Sequence, residues 1–229
     1  MSWDLRHGRW EEALSDVDHV DAVITDPPYS SRTHSGHDTV EGIAGHRRSI
    51  GYRPWKLKDV GPFVNHWIRR CSGWFVVITD HLLAREFEHE LTAGGWYVFA
   101  PLPAVLVGSR VRLLGDGPSC WTVWLVVARP RTKEMARWGT LPGAYYGSPE
   151  RNMIVPGGKP LWLMDALIRD YTRPGDLVCD PCAGGGTTLH AALRQGRRAI
   201  GAEMDRGTYE AARARLEDGY QPDMFAGAS

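Results

Sequence analysis

The sequence predicts an α/β fold: a doubly wound, mostly parallel sheet with helices on both faces and a late antiparallel hairpin. Three observations predict it. Short apolar runs alternate with segments of helical period, as at residues 74–79 followed by 81–92. Two of these runs, 20–25 and 177–179, end in an aspartate and a turn. Two β-branched runs, 104–107 and 121–128, flank the turn Gly115-Asp116-Gly117-Pro118.

Taken in order, residues 20–25 form the first buried strand. Residues 30–58 have little periodicity and many Ser, Gly, His and Arg, a length that marks a mobile substrate loop or lid. A helix follows at 59–70, with Val64, Trp67, Ile68 and Cys71 on one face. Then come a continuous apolar strand at 74–79, a helix at 81–92 ended by Gly94-Gly95, and a strand at 96–100. After the hairpin, 129–156 is polar and rich in Gly and Pro, and a helical pattern returns at 159–171. The chain continues as strand 177–179, a glycine loop, helix 188–195, strand 199–203 and helix 209–216, with a frayed tail from 217. Such a sheet binds ligands at the C-terminal ends of its strands, beside the switch point. The loops at Asp26 and Asp180 both leave strands there, so they are expected to share one crevice.

The 229 residues suffice for one domain, 1–229, with a sizeable core. Hydrophobic residues make up 43% and charged residues 24%, as in globular proteins. Lys+Arg and Asp+Glu both number 27. A nucleic-acid partner would therefore need a local basic face rather than a basic total. No run reaches the ~18 apolar residues of a membrane helix, and residues 1–6 lack a signal-peptide core. The expectation is a cytoplasmic protein. Of the four cysteines, only Cys179 and Cys182 form a C-x-x-C. One such pair is weak support for zinc, so no metal is expected.

Asp26-Pro27-Pro28-Tyr29 places a carboxylate, two rigid prolines and an aromatic ring at a strand tip. An exocyclic base amine is a poor nucleophile because its lone pair is delocalised into the ring. An acceptor pair can draw that nitrogen toward tetrahedral geometry and stabilise the charge that develops. The Asp26 carboxylate is one acceptor. The Pro27 carbonyl is the natural second, since neither proline has an N–H to intrude. Tyr29 offers a stacking face, worth ~1–3 kcal/mol per base. A paired base cannot enter such a pocket and must be flipped out or already unpaired. The bland alternative is a strand-ending turn. The second loop, Asp180-Pro181-Cys182-Ala183-Gly184-Gly185-Gly186-Thr187-Thr188, lies between a strand and a helix, the geometry of a nucleoside-cofactor site. Glu203 closes the next strand, about twenty residues on, where an acid takes ribose hydroxyls.

With these residues in place, the chain resembles the S-adenosylmethionine-dependent DNA amino methyltransferases (adenine-N6 and cytosine-N4), of the permuted β class. In that class the catalytic motif precedes the cofactor motif. The likeness runs from about Val20 to Leu216. It is strongest from Gly157 to Glu203, through Lys159-Pro160-Leu161, Pro174-Gly175-Asp176-Leu177-Val178, the glycine loop, Gly196-Arg197-Arg198 and Gly201. The resemblance implies a Rossmann-like methyltransferase sheet. It assigns Asp26, Pro27, Pro28 and Tyr29 to the target base. It assigns Asp180, Pro181, Cys182, Ala183, Gly184, Gly186 and Thr187 to the cofactor loop, Glu203 to the ribose, and Lys159 to the methionine carboxylate. The expected partner is double-stranded DNA with a flipped base. Adenine is favoured over cytosine because Asp, not Ser, opens the motif; an RNA amine and a non-catalytic binding module are the alternatives. A homodimer is expected by the same likeness, and a restriction-enzyme partner is left open.

The pattern departs from the family in places. The Gly-Asp that meets the cofactor adenine corresponds to Gly8-Arg9, with Asp4 as a substitute acid. The residues ahead of Lys159 are Val155-Pro156-Gly157-Gly158 rather than His-Pro-Thr-Gln. Few residues remain for target recognition; 30–58 and 129–156 are the candidates. In the first, Arg47, Arg48, Arg53 and Lys56 interleave with Tyr52 and Trp55, which suits phosphate contact plus stacking, or equally a solvated loop. Arg129, Arg131, Lys133 and Arg137 pose the same choice. His34, His37 and His46 read as solvated loop residues. Trp67, Trp74, Trp96, Trp121 and Trp124 lie in apolar runs and are expected in the core.

Overall fold

A computed structural model of the chain describes residues 2–33, 52–109, 118–150 and 158–219. One sheet organises them. Its strands are β1 (Trp3–His7), β2 (Ala22–Thr25), β3 (Phe75–Thr79), β4 (Tyr97–Val98), β5 (Leu102–Leu106), β6 (Thr122–Arg129), β7 (Tyr145–Gly147), β8 (Leu177–Asp180) and β9 (Arg198–Glu203). The order is β1-β9-β8-β2-β3-β6-β5-β7, with β4 also on β6. From β1 to β3 every neighbour is parallel. β6 is antiparallel to β3 and to β5, so the expected hairpin exists and is built into the main sheet.

The helices are α1 (Trp10–Ala13), α2 (Leu57–Trp67), α3 (His81–Ala93), α4 (Leu161–Tyr171), α5 (Thr187–Arg194) and α6 (Arg206–Gly219). They cover both faces, and the strands show why. Side chains alternate across a strand. Val23, Phe75 and Val77 therefore pack with Val60, Phe63 and Val64 of α2 and Phe87 of α3. Ile24, Val76 and Ile78 pack on the other face with Leu163 and Leu167 of α4 and Leu189 of α5. Strands buried on both sides read as unbroken apolar runs, which is what 74–79 displays.

Among the described residues four elements lie outside the expected set: β1, α1, β7 and a 3-10 helix at Met135–Arg137. The expected strand at 96–100 shrinks to Tyr97–Val98. Val98 faces Ala128 and Leu102 faces Leu125, so one extra residue sits opposite β6 between them. This bulge contains Pro101, which cannot donate to a ladder, and it splits one edge line into β4 and β5. Trp67, Trp74 and Trp96 are core residues. Trp121 is not: it precedes β6, is 40% exposed, and donates its indole N–H to the Ser109 carbonyl. No helix among the described residues is long and apolar enough to cross a membrane.

Candidate active site

The two marked loops meet because their strands are neighbours. β2 pairs with β8 in register Ala22↔Val178 and Val23↔Cys179. From β2 the chain crosses to β3 on one side, and from β8 to β9 on the other, which makes their C-terminal ends the switch point. Thr25, the last residue of β2, is fully buried and donates its hydroxyl to Asp180 Oδ1 at 2.7 Å. The expected shared crevice is present.

Asp180 is the frame of the glycine-loop side. Its carboxylate is buried, and it also accepts from the Cys182 N–H at 3.1 Å and the Thr188 hydroxyl at 2.5 Å. Burial nevertheless lifts it from 3.8 to about 6. Gly184 and Gly186 turn the loop with φ of +50° and +72°, a region that favours glycine. Gly201 lets β9 pass beneath; a Cβ there would lie 2.7 Å from the Asp180 carbonyl oxygen. Glu203 closes β9, and its two oxygens accept from the Gly184 N–H (3.0 Å) and the Asp205 N–H (2.7 Å). A carboxylate has about four acceptor positions, so two remain for other donors. Pro181 and Ala183 are buried, while Cys182 is half-buried. Its thiol is pushed well up, by burial and then by Asp180, Glu203 and Asp26, and so stays neutral. The Thr187 hydroxyl accepts from Arg215 of α6 at 3.0 Å, and Arg215 also donates to the Gly185 carbonyl.

The Asp26 side is held differently. Asp26 follows β2 directly. Its Oδ2 accepts from Lys159 Nζ at 2.6 Å, and the Lys159 side chain is only 7% exposed. The same ammonium lies 4.9 Å from the centre of the Tyr29 ring, at cation–π distance. Asp26 Oδ1 and the Tyr29 hydroxyl are sealed from solvent with no hydrogen-bond partner among the described residues, although close enough to influence each other's titration. Burial raises the Asp26 carboxyl, and Lys159 opposes the rise. Pro27 is buried and Pro28 half-buried.

Asp80 completes this side, and the sequence reading missed its role. It caps α3 by accepting from the Leu82 and Leu83 N–H groups at 3.0 and 3.1 Å. Its other oxygen accepts from the Ser30 N–H (2.9 Å), the Ser30 hydroxyl (2.5 Å) and the Thr33 hydroxyl (2.6 Å). Four of these partners lower its carboxyl against the effect of burial. The residue after Tyr29 is thereby nailed to the end of β3. An Asp between a strand and a helix was the available signal.

The basic candidates separate. Arg47 and Arg48 lie outside the described residues, as do His34, His37 and His46 and parts of the 30–58 and 129–156 segments. Arg53 pairs with Asp59 at 3.0 Å, and Lys56 is exposed at the start of α2. Trp55 is packed at 5.2 Å from Phe63 and 6.3 Å from Phe87, and its N–H donates to the Tyr29 carbonyl. Tyr52 is 41% exposed, and its phenol is pushed up by burial and then by Asp26, Cys182 and Glu203. Arg129 and Arg131 stack on Tyr97 at 4.8 and 5.3 Å. Ala128 faces Phe75 at the start of β3, so this pair lies at the end of the sheet opposite to Asp26. Asp4 faces Ile200, three residues short of the end of β1, and is bound by Arg6 at 2.9 Å. Gly8 itself donates to the Glu203 carbonyl, and Arg9 pairs with Glu11.

Known proteins share both the sequence and the fold. The family model described as DNA methylase, for N6 and N4 methyltransferases, matches residues 111–214. A putative methylase of Escherichia coli K12, YubD, is 30% identical over 204 residues, covering 86% of this chain and 82% of that one. The structure of the M1.HpyAVI–SAM complex matches with a TM-score of 0.71 at 22% identity, over 93% of this chain and 98% of that one. The cytosine-N4-specific PvuII DNA methyltransferase matches with a TM-score of 0.64 at 16% identity, over 97% and 90%. The chain belongs to the DNA methylase family of N6 and N4 amino methyltransferases.

Proposed function

We propose that the protein transfers a methyl group from S-adenosylmethionine to the exocyclic amine of a base flipped out of duplex DNA, with adenine N6 as the target. The observation that carries this reading is the crevice itself. Thr25, the residue before Asp26, donates to Asp180 at the start of the glycine loop, the Gly184 N–H of that loop donates to Glu203, and Asp26 Oδ1 is an acceptor without a partner among the described residues.

The residues present fit the cofactor. Glu203 is fixed by two backbone donors with acceptor positions to spare, which suits vicinal ribose hydroxyls. The turn from Ala183 to Gly186 offers backbone free of side-chain bulk. Gly8 donates its N–H to the Glu203 carbonyl, so the position of the family's Gly-Asp lies beside Glu203 with Arg9 in place of the acid. When bound, the cofactor supplies an electrophilic methyl group, whose C–S bond breaks as the N–C bond forms.

The chain's own residues supply position and charge. Asp26 Oδ1 accepts one N–H of the amine, and the Pro27 carbonyl accepts the other. Together they localise the nitrogen lone pair away from the ring and toward the methyl carbon. The carboxylate takes the proton that the methylated nitrogen sheds and passes it to water. Tyr29 stacks on the base, and Tyr52 covers the opening. Holding both reactants in line is the main contribution to rate. Adenine is preferred because Asp opens the motif. Asp180, with its internal hydrogen bonds, sets the loop rather than touching the cofactor, and Thr187 does the same through Arg215.

The test is base-resolved sequencing of DNA from cells that express the chain. The expected result is N6-methyladenine within one short recurring sequence. N4-methylcytosine there would move the target, and unmodified DNA would overturn the reading.

A further inference from the structure

Lys159 stands where the function has not used it. The family likeness assigns this residue to the cofactor's carboxylate. In the fold its Nζ is 2.6 Å from Asp26 Oδ2 and sits over the Tyr29 ring. It comes from the segment just before α4, 133 positions along the chain from Asp26. The ion pair occupies one carboxylate oxygen. The other is sealed from solvent and has no partner among the described residues.

We propose that Lys159 is a positioning residue for the base amine: its ammonium fixes one oxygen of Asp26 and leaves the other as the acceptor that the amine meets. This inference rests on the reading of Asp26 as the amine acceptor. A buried carboxylate without a cation protonates readily, and a protonated oxygen cannot accept the amine's N–H. Among the described residues, the other groups that interact with Asp26 supply no positive charge. Tyr29 and Tyr52 are phenols, Cys182 is a thiol, and Asp180 is a second carboxyl. Among the described residues, Lys159 is the cation that favours the ionised form of Asp26 against burial. Its contact with Tyr29 orders the stacking ring in the same motion. Removing the ammonium should raise the Asp26 carboxyl, so the acid limb of the rate–pH profile should move to higher pH.

The experiment compares wild type with Lys159→Met and Lys159→Arg. Asp26 titration is followed by carboxyl-carbon NMR in the free protein, cofactor affinity by calorimetry, and methyl transfer with a labelled donor. In Lys159→Met, Asp26 should titrate about one pH unit or more higher, and kcat on the acid side should fall about tenfold or more. Cofactor Kd should change less than about threefold, and Lys159→Arg should keep the wild-type titration, even where the methionine variant fails to fold. A cofactor Kd weakened more than tenfold with Asp26 titrating as before would overturn the inference and return Lys159 to the cofactor. A shifted titration in Lys159→Arg would overturn it as well. Because the titration needs no turnover, absence of methyl transfer by the wild type would sink the functional reading separately.

Discussion

The two halves of the crevice are both built on an aspartate at the end of a parallel strand, yet they are finished to different degrees. On the cofactor side, Asp180 has three donors within 3.1 Å and faces none of the open space. On the catalytic side, Asp26 spends one oxygen on Lys159 and leaves the other unmatched, as does the Tyr29 hydroxyl beside it. Buried polar atoms are nearly always paired. A completed network makes a frame, and an unmatched acceptor beside the crevice leaves a position that an incoming donor can fill. The unfinished loop is not slack, because Asp80 clamps its far end at Ser30 and Thr33.

Substitutions can break this contrast in a graded way. Asp26→Ala should have the largest effect, lowering kcat for methyl transfer by about 10²–10³-fold or more while cofactor Kd stays near wild type. Calorimetry and a labelled-methyl assay would read the two halves, and undiminished transfer would contradict the division. Asp80→Ala should come next. It removes a helix cap and three clamps on the catalytic loop, for about 2–4 kcal/mol of stability. Denaturant unfolding would measure it, and a loss below about 0.5 kcal/mol would show that the loop is held elsewhere. Glu203→Ala should weaken cofactor binding about 10–100-fold, with a smaller change in kcat at saturation.

The strands at 20–25 and 177–179 were legible because a strand covered on both faces has no polar positions to blur it. Asp26, Glu203 and the glycine loop were legible because strand ends concentrate the chemistry of such sheets. β1 was not. Its sequence Trp-Asp-Leu-Arg-His buries only Leu5, since it is an edge strand whose remaining side chains face solvent or helix rims. β7 has three residues and exists because β5 offers an unpaired edge to it. Lys159 was visible as a residue, but its partner is fixed by the crossing of β2 and α4, which no local pattern encodes. The same holds for Trp55: between basic residues it reads as a stacking ring, and the fold spends it on Phe63 and Phe87.

The smallest expected effect sharpens the frame itself. Asp180 titrates near 6 in the fold against an ordinary 3.8. A raised carboxyl favours the folded state fully below the unfolded value, and that share is lost as pH rises through about 6. Wild-type stability should therefore decline between about pH 4 and pH 7, and Asp180→Asn should flatten the decline. Equal slopes in denaturant titrations of the two proteins would argue that Asp180 is ionised throughout.

The most direct measurement of the central claim is a crystal structure with S-adenosylhomocysteine. The account predicts ribose hydroxyls on Glu203 and the thioether sulfur turned toward Asp26 Oδ1, with room between them for one methyl group and one base amine. A ligand bound elsewhere, or one whose sulfur points away from Asp26, would contradict it.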